Sequence, residues 1–150
     1  MELALLWTLQ VDPLTAALGI AHVQLERVLA DNVSVYVGPS LRLYDAPWAE
    51  PEPFRAHGAE VGVRFYPRAN APEGPWVMAR GVAARMSTTD GSHDPEPGGY
   101  GSVLAGGTLV LGGHWVLSGG LGVSYFAWDI GDYGVTGFKP AAHTALGVAF

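Results

Sequence analysis

Along most of this chain apolar residues recur at every second position. Between 33 and 44, Val33, Val35, Val37, Pro39, Leu41 and Leu43 share one parity, while Ser34, Tyr36, Gly38, Ser40, Arg42 and Tyr44 share the other. Between 59 and 66, Ala59, Val61, Val63 and Phe65 oppose Glu60, Gly62, Arg64 and Tyr66. Leu3, Leu5, Trp7, Leu9 and Val11 alternate with Glu2, Ala4, Leu6, Thr8 and Gln10, and Trp115, Leu117, Leu121, Val123 and Tyr125 with Ser118, Gly120, Gly122 and Ser124. Neighbouring side chains of an extended strand point to opposite faces, so a period of two predicts strands with one apolar face.

The pattern and its turn residues predict eight strands, at 2–11, 16–29, 33–45, 58–68, 75–88, 99–111, 114–128 and 138–150. The second obeys the rule only in its latter half, where Ala21, Val23 and Leu25 oppose His22, Gln24 and Glu26. Leu18 and Ile20 fall on its polar parity, which predicts a bulge near Gly19. The fifth and sixth stretches are ambiguous. Most of these strands are long, about 11–14 residues, against about 5–6 in soluble proteins. A tilted strand crossing a bilayer needs about 9–11.

A helical span is the competing interpretation for residues 97–128, which contain no Asp, Glu, Lys or Arg. Ten glycines interrupt that segment, each costing about 1 kcal/mol in a helix interior relative to Ala. Two strands and a turn fit better. The polar parity of the whole chain is mostly Gly, Ser, Ala and Tyr, whereas a soluble sheet exposes Lys, Glu and Thr in quantity. Small residues suit the crowded interior of a narrow barrel, and closing the sheet pairs every backbone group, as hydrocarbon demands.

Connections add a second signal. The even-numbered ones are compact, at 30–32, 68–74 and 112–113, and three odd-numbered ones are longer and polar, at 46–57, 89–98 and 129–137. The first odd connection, Asp12-Pro13-Leu14-Thr15, is short and departs from the trend. Short turns at one rim and long loops at the other match an outer-membrane barrel with both termini periplasmic. The expected architecture is therefore all-β, an eight-stranded antiparallel up-and-down transmembrane β-barrel covering 1–150 as one domain.

Composition agrees. Hydrophobic residues are 49% and charged residues 15%, against about 25% charged in ordinary soluble domains. A net charge of −6 argues against a nucleic-acid partner, since phosphate binding needs basic stripes. There is no cysteine, hence no disulfide or thiol chemistry. Residues 1–7 lack the basic start and cleavage site of a signal peptide, so an exported protein would be numbered here as its mature chain.

The last residues, His143 to Phe150, resemble the C-terminal assembly signal of the small outer-membrane barrels of the OmpA, OmpX and OmpW type. Leu146, Val148 and the terminal Phe150 match its alternating apolar pattern; Thr144 stands where an aromatic is common. Val11-Asp12-Pro13-Leu14 through Gly19, followed by Gln24-Leu25-Glu26-Arg27, resembles a family of uncharacterised bacterial barrels with an Asn-Pro-Leu…Glu-Arg pattern, with Asp12 in place of Asn. The resemblance implies an outer-membrane location, a lipid bilayer with lipopolysaccharide as surroundings, the barrel-assembly machinery as partner and a monomer. It implies no reaction.

Candidate sites follow from parity. Glu26, Arg42, Glu60 and Arg64 share the inward parity, joined by Arg80. Buried charges are costly unless paired, so an ion-pair ladder plugging the lumen is expected, with a gated narrow pore as the functional alternative. His22, Gln24 and His143 are expected as lumen polar groups. Trp7, Trp76, Trp115, Tyr125 and Trp128, near strand ends, are expected to form membrane-interface girdles. A Ser/His hydrolase needs nucleophile, base and orienting acid in contact; no His-x-Ser pair falls in a strand, and Ser92-His93 lies in a loop, so no enzyme is expected. Eight of fourteen acids lie in or beside the longer loops: Asp45, Glu50, Glu52, Asp90, Asp94, Glu96, Asp129 and Asp132. Asp90-Gly91-Ser92-His93-Asp94 lacks a complete calcium-loop spacing, and a solvated acidic rim without metal or cofactor is expected.

Three functions remain open: a structural or surface-interaction barrel with a plugged polar lumen, a narrow pore or passive transporter for small solutes, and a soluble β-barrel binding an apolar ligand. An arginine at Leu41 discriminates the last, costing about 2–4 kcal/mol at a bilayer midplane and little on a wetted surface.

Overall fold

The computed structural model describes residues 6–46, 50–68 and 70–150. Its elements in chain order are β1 (Trp7–Val11), α1 (Pro13–Ala17), β2 (Ile20–Ala30), β3 (Val33–Arg42), β4 (Phe54–Phe65), β5 (Gly74–Thr88), β6 (Glu96–Leu111), β7 (Trp115–Ile130) and β8 (Tyr133–Ala149). Each strand pairs antiparallel with the next, and β1 pairs with β8, so the sheet closes into an eight-stranded up-and-down barrel. The closing seam is short. It runs from Thr8↔Ala149 to Val11↔Leu146, and Trp7 and Phe150 exchange both backbone hydrogen bonds at 2.9 Å.

The strands at 75–88 and 99–111, ambiguous by pattern, are regular and pair from Gly74↔Thr108 to Met86↔Glu96. Their pattern blurs because Gly81, Ala79 and Gly101 stand outside while Met78 and Leu104 are buried inside. The loop expected at 129–137 is a tight turn instead: Ile130 faces Tyr133 across the hairpin, and Gly131, at φ +58°, adopts the left-handed conformation such a turn requires. β4 likewise starts at Phe54 rather than at 58.

The front of the chain departs most. Residues 16–19 are not strand. Asp12 accepts hydrogen bonds from the backbone N–H groups of Leu14 (3.0 Å) and Thr15 (3.2 Å), and Pro13 opens a one-turn helix. An N-cap acid followed by proline at the first helical position is a helix-start signature. Leu18, which caps this turn, broke the alternation for this reason; Ile20 is already the first residue of β2, opposite Arg42. Gly19, at φ +90°, returns the chain to β2, and the only register shift of the β2–β3 pair lies between Val28 and Ala30 rather than near Gly19. Of the first expected strand, residues 2–5 lie outside those described.

Inside and outside follow the parity. Val61 is 61% exposed, Leu121 73% and Val103 61%, whereas Arg64, Glu26 and Glu60 have no exposed surface. Two apolar clusters occupy the lumen toward its ends. Phe54, Met86, Trp128 and Ile130 lie at the loop rim, and Tyr66, Trp76 and Met78 at the turn rim. Small residues make room for them: a Cβ on Gly62 would come within 2.3 Å of the Tyr36 ring directly across the β3–β4 pair. Leu41 is the penultimate residue of β3, opposite His57; it lies at the loop rim and is not a mid-strand position.

Candidate functional site

The interior between the two apolar clusters is a connected polar network centred on two carboxylates. Glu26, from β2, accepts at Oε2 from Nη1 of Arg64 at 2.7 Å, Nε2 of Gln10 at 2.6 Å and Oγ1 of Thr8 at 3.1 Å, and at Oε1 from the Tyr66 hydroxyl at 3.4 Å and the Ser34 hydroxyl. Glu60, from β4, takes Nε2 of Gln24 at 2.7 Å; His22 Nδ1 lies 2.7 Å and Arg80 Nη1 3.7 Å from its second oxygen. Arg64 joins the halves, with Nη2 at 3.5 Å from the Gln24 side-chain Oε1 and 2.9 Å from His143 Nε2. Its guanidinium also lies 5.2 Å from the Tyr36 ring centroid and 5.4 Å from that of Trp76, within cation–π range.

Two carboxylates and two guanidiniums thus neutralise one another inside. A buried ion pair is tolerated only where further hydrogen bonds satisfy the remaining lone pairs and protons, and Glu26 meets that condition through four donors besides Arg64. The far side of the barrel is lined more modestly: Ser102 and Ser124 share a 2.6 Å hydrogen bond, Arg80 Nε reaches Ser102 at 3.3 Å, and Trp76 donates to Thr108 at 3.0 Å.

Of the expected ladder, Glu26, Glu60, Arg64 and Arg80 come together, with His22, Gln24 and His143 in contact with them. Arg42 does not. It turns to the loop rim, where Nη2 sits 2.7 Å from Asp45 and 3.3 Å from Glu52, with its guanidinium 4.2 Å from the Phe54 ring. As the last residue of β3 it has shared parity with the network but greater height. Two of the expected girdle aromatics are also corrected. Trp76 and Trp128 are 2% and 3% exposed and pack inside the barrel; their even-numbered positions place them on the inward face of β5 and β7. Trp115 (66%) and Tyr125 (49%) face outward, and Trp7 lies under Arg27 at 5.2 Å. Leu146, Val148 and Phe150 also project from the exterior.

Asp12 was not anticipated as an interior group. Besides capping α1 it accepts from Thr144 Oγ1 at 2.7 Å, and its second oxygen lies 3.7 Å from His143 Nδ1. The Asp-Pro pair that starts a helix was the available signal. The second omission is cross-strand. Ser40 faces His22 in the β2–β3 register, its Oγ lies 3.3 Å from His22 Nε2, and His22 Nδ1 meets Glu60. That is the order hydroxyl, imidazole, carboxylate by which a base activates a nucleophile. Tyr100 shares the same Nε2 at 3.2 Å, and Ser40 has no exposed surface.

At the loop rim Asp45 serves Arg42 and lies 3.7 Å from Arg55. Exposed Asp90 accepts the Ser92 N–H at 3.0 Å, which holds its carboxyl below the usual range. Among the described residues no group of three or more His, Asp or Glu gathers as a metal cage.

No protein-family model, curated protein or solved structure matches this chain. Its geometry defines a class: a closed, eight-stranded, antiparallel barrel with large apolar side chains exposed on its exterior and ionic side chains buried in its interior.

Proposed function

We propose that this protein is an integral barrel of the bacterial outer membrane, of the small OmpA-like kind, with a structural or surface-interaction role and a lumen closed by side chains. One observation supports this above all: large aliphatic side chains cover the outer wall while Glu26, Glu60, Arg64 and Arg80 are withdrawn into the cylinder. Water would reward the reverse arrangement. Leaving so many Val and Leu side chains in contact with water costs about 25 cal/mol per Å², and burying four charges adds a desolvation cost. Hydrocarbon around the barrel removes the first cost and makes a closed sheet obligatory. The same inversion argues against a soluble barrel with an apolar ligand inside, because the interior offers such a ligand charges and aromatic plugs.

The decisive experiment is refolding into phosphatidylcholine vesicles, followed by gel migration with and without boiling and by protease protection. A compact, heat-modifiable band that forms only with vesicles or detergent is expected. A water-soluble monomer refutes the proposal. A narrow pore is the second reading, favoured by the continuous polar column from Thr8 through Arg64 to Tyr100. Planar-bilayer recordings separate the two: the closed-lumen reading expects no steady conductance, and regular openings would favour the pore.

A further inference from the structure

The seam side of the barrel is paired over only part of its height. β7 pairs with β8 along the whole hairpin, from Trp115↔Val148 to Ile130↔Tyr133, but β1 meets β8 only up to Val11↔Leu146. There the chain turns off into α1, whose Leu14 N–H donates to Thr144 Oγ1 at 3.1 Å. Toward the loop rim from that point, β8 has a ladder on one side only. Trp7 and Phe150 exchange both backbone hydrogen bonds, so alternate residues of β8 turn their N–H and C=O toward the seam. Continued along the strand, the alternation brings Ala142, Pro140 and Phe138 to that edge. Among the described residues no backbone group reaches them from the seam side.

Two residues carry the marks of an unpaired edge. Pro140 stands where a missing N–H breaks no ladder bond, which is where a sheet tolerates proline. Lys139, the chain's one lysine, has the inward parity, opposite buried Ser124. It is nevertheless exposed, and among the described residues it forms no ion pair. Beside it the outward Phe138 is 75% exposed.

Height decides what fits the gap. Ala142 faces Leu121 and Pro140 faces Val123 across the hairpin, and both partners are exposed on the outer wall, so the free edge runs through the apolar belt. Hydrocarbon does not tolerate an open sheet edge, and an acyl chain has no group to offer its amides. A second copy inserted the same way up presents β8 only in parallel, the weaker pairing, and β8 has no carboxylate for Lys139.

We infer that this edge docks an extended peptide segment of a partner protein, antiparallel to β8, with a carboxylate opposite Lys139. The segment continues the ladder that β1 leaves at Val11, as strand addition to a sheet edge does. Lys139 lies at a step of the seam where facing residues share no hydrogen bonds and side chains come closest. An Asp or Glu there meets the lysine on the inward face, while apolar neighbours in the segment lie beside Phe138. Proline and lysine on an edge bar indiscriminate pairing, which leaves a selective one. The inference rests on the outer-membrane reading and names a partner for its surface-interaction role.

The test uses the barrel refolded in phosphatidylcholine vesicles and two fluorescein-labelled synthetic peptides of alternating Val and Thr, one with a central Glu and one with Gln in its place. Anisotropy reads binding, with uptake by protein-free vesicles subtracted. The Glu peptide is expected to bind wild type about fivefold more tightly than the Gln peptide, and Lys139→Gln to erase that difference. Ala142→Pro, which removes one seam-facing N–H and leaves the β7 ladder whole, is expected to weaken both peptides about three- to tenfold. Amide exchange at Phe138 and Ala142 is expected to be fast in the free barrel and slow with the Glu peptide. Absence of peptide binding, equal binding of the two peptides, or no effect of Ala142→Pro overturns the inference. So does slow exchange at both amides without peptide. Disulfide-linked dimers of Ala142→Cys in excess over those of Val103→Cys also overturn it, by giving the edge to a second copy. Heat-modifiable migration scores insertion separately, so a barrel that fails to insert refutes the membrane reading instead.

Discussion

Glu26 and Arg64 provide the sharpest test of how the interior is held. Replacing Glu26 with Met leaves the guanidinium of Arg64 buried with His143 at 2.9 Å, Gln24 at 3.5 Å and two aromatic faces, and no close carboxylate. Arginine does not shed its proton, so the stranded charge persists. Replacing Arg64 with Met leaves Glu26 with donors from Thr8, Gln10, Ser34 and Tyr66, and a carboxylate can also neutralise itself by taking a proton. Breaking a buried pair costs about 3–5 kcal/mol; Glu26→Met is expected near the upper end and Arg64→Met near the lower. The double replacement removes both stranded charges and is expected to fall short of the sum by about 2–3 kcal/mol, within the coupling seen for contacting residues. Urea unfolding of the vesicle-inserted barrel, followed by tryptophan fluorescence, measures all four proteins. Additive single effects, or two singles each under about 1 kcal/mol, would show that the pair is solvent-screened and that the lumen is wet.

Val61→Arg, in the middle of β4 and 61% exposed, should cost about 2–4 kcal/mol in vesicles, and Leu41→Arg, at the loop rim, about 0–1; the same unfolding assay ranks them, and equal small effects contradict a lipid-facing wall. Gly62→Ala must displace the Tyr36 ring, 2.3 Å from the new methyl, and is expected to lose about 1–3 kcal/mol as overpacking does, a loss that Tyr36→Ala in the same chain should relieve in part. Asp12→Ala removes the helix cap and the Thr144 contact, with an expected loss of about 1–2 kcal/mol and faster amide exchange in residues 14–18; unchanged exchange would show that the cap is dispensable. Ser40 is expected to stay unlabelled by a fluorophosphonate in the folded barrel, and labelling detected by mass spectrometry would reveal access to the Ser40–His22–Glu60 group.

The amino-acid order by itself determined the number of strands and the inward placement of Glu26, Glu60 and Arg64, because a strand's two-residue period is local; in β5 and β6, where Gly and Ala stand outside, the pattern left the faces open. It could not supply height along the barrel axis. Arg42 has the parity of Arg64 but sits at the rim, and only the register separates the two; Trp76 and Trp128 stand at strand ends, but their even parity already pointed inward against the girdle expectation. Nor could it show that His22 meets Ser40, or that Arg85 meets His57, since both contacts cross between strands and exist only once the hairpins are aligned. The one-turn helix behind Asp12 was written in the sequence as an acid before proline, but five residues are too few to show a 3.6-residue period, so the cap was the whole of its signal. Closure of β1 onto β8 was expected from the need of every backbone N–H and C=O to find a partner, but its register, Thr8 with Ala149 to Val11 with Leu146, joins the two ends of the chain and only the tertiary structure supplied it.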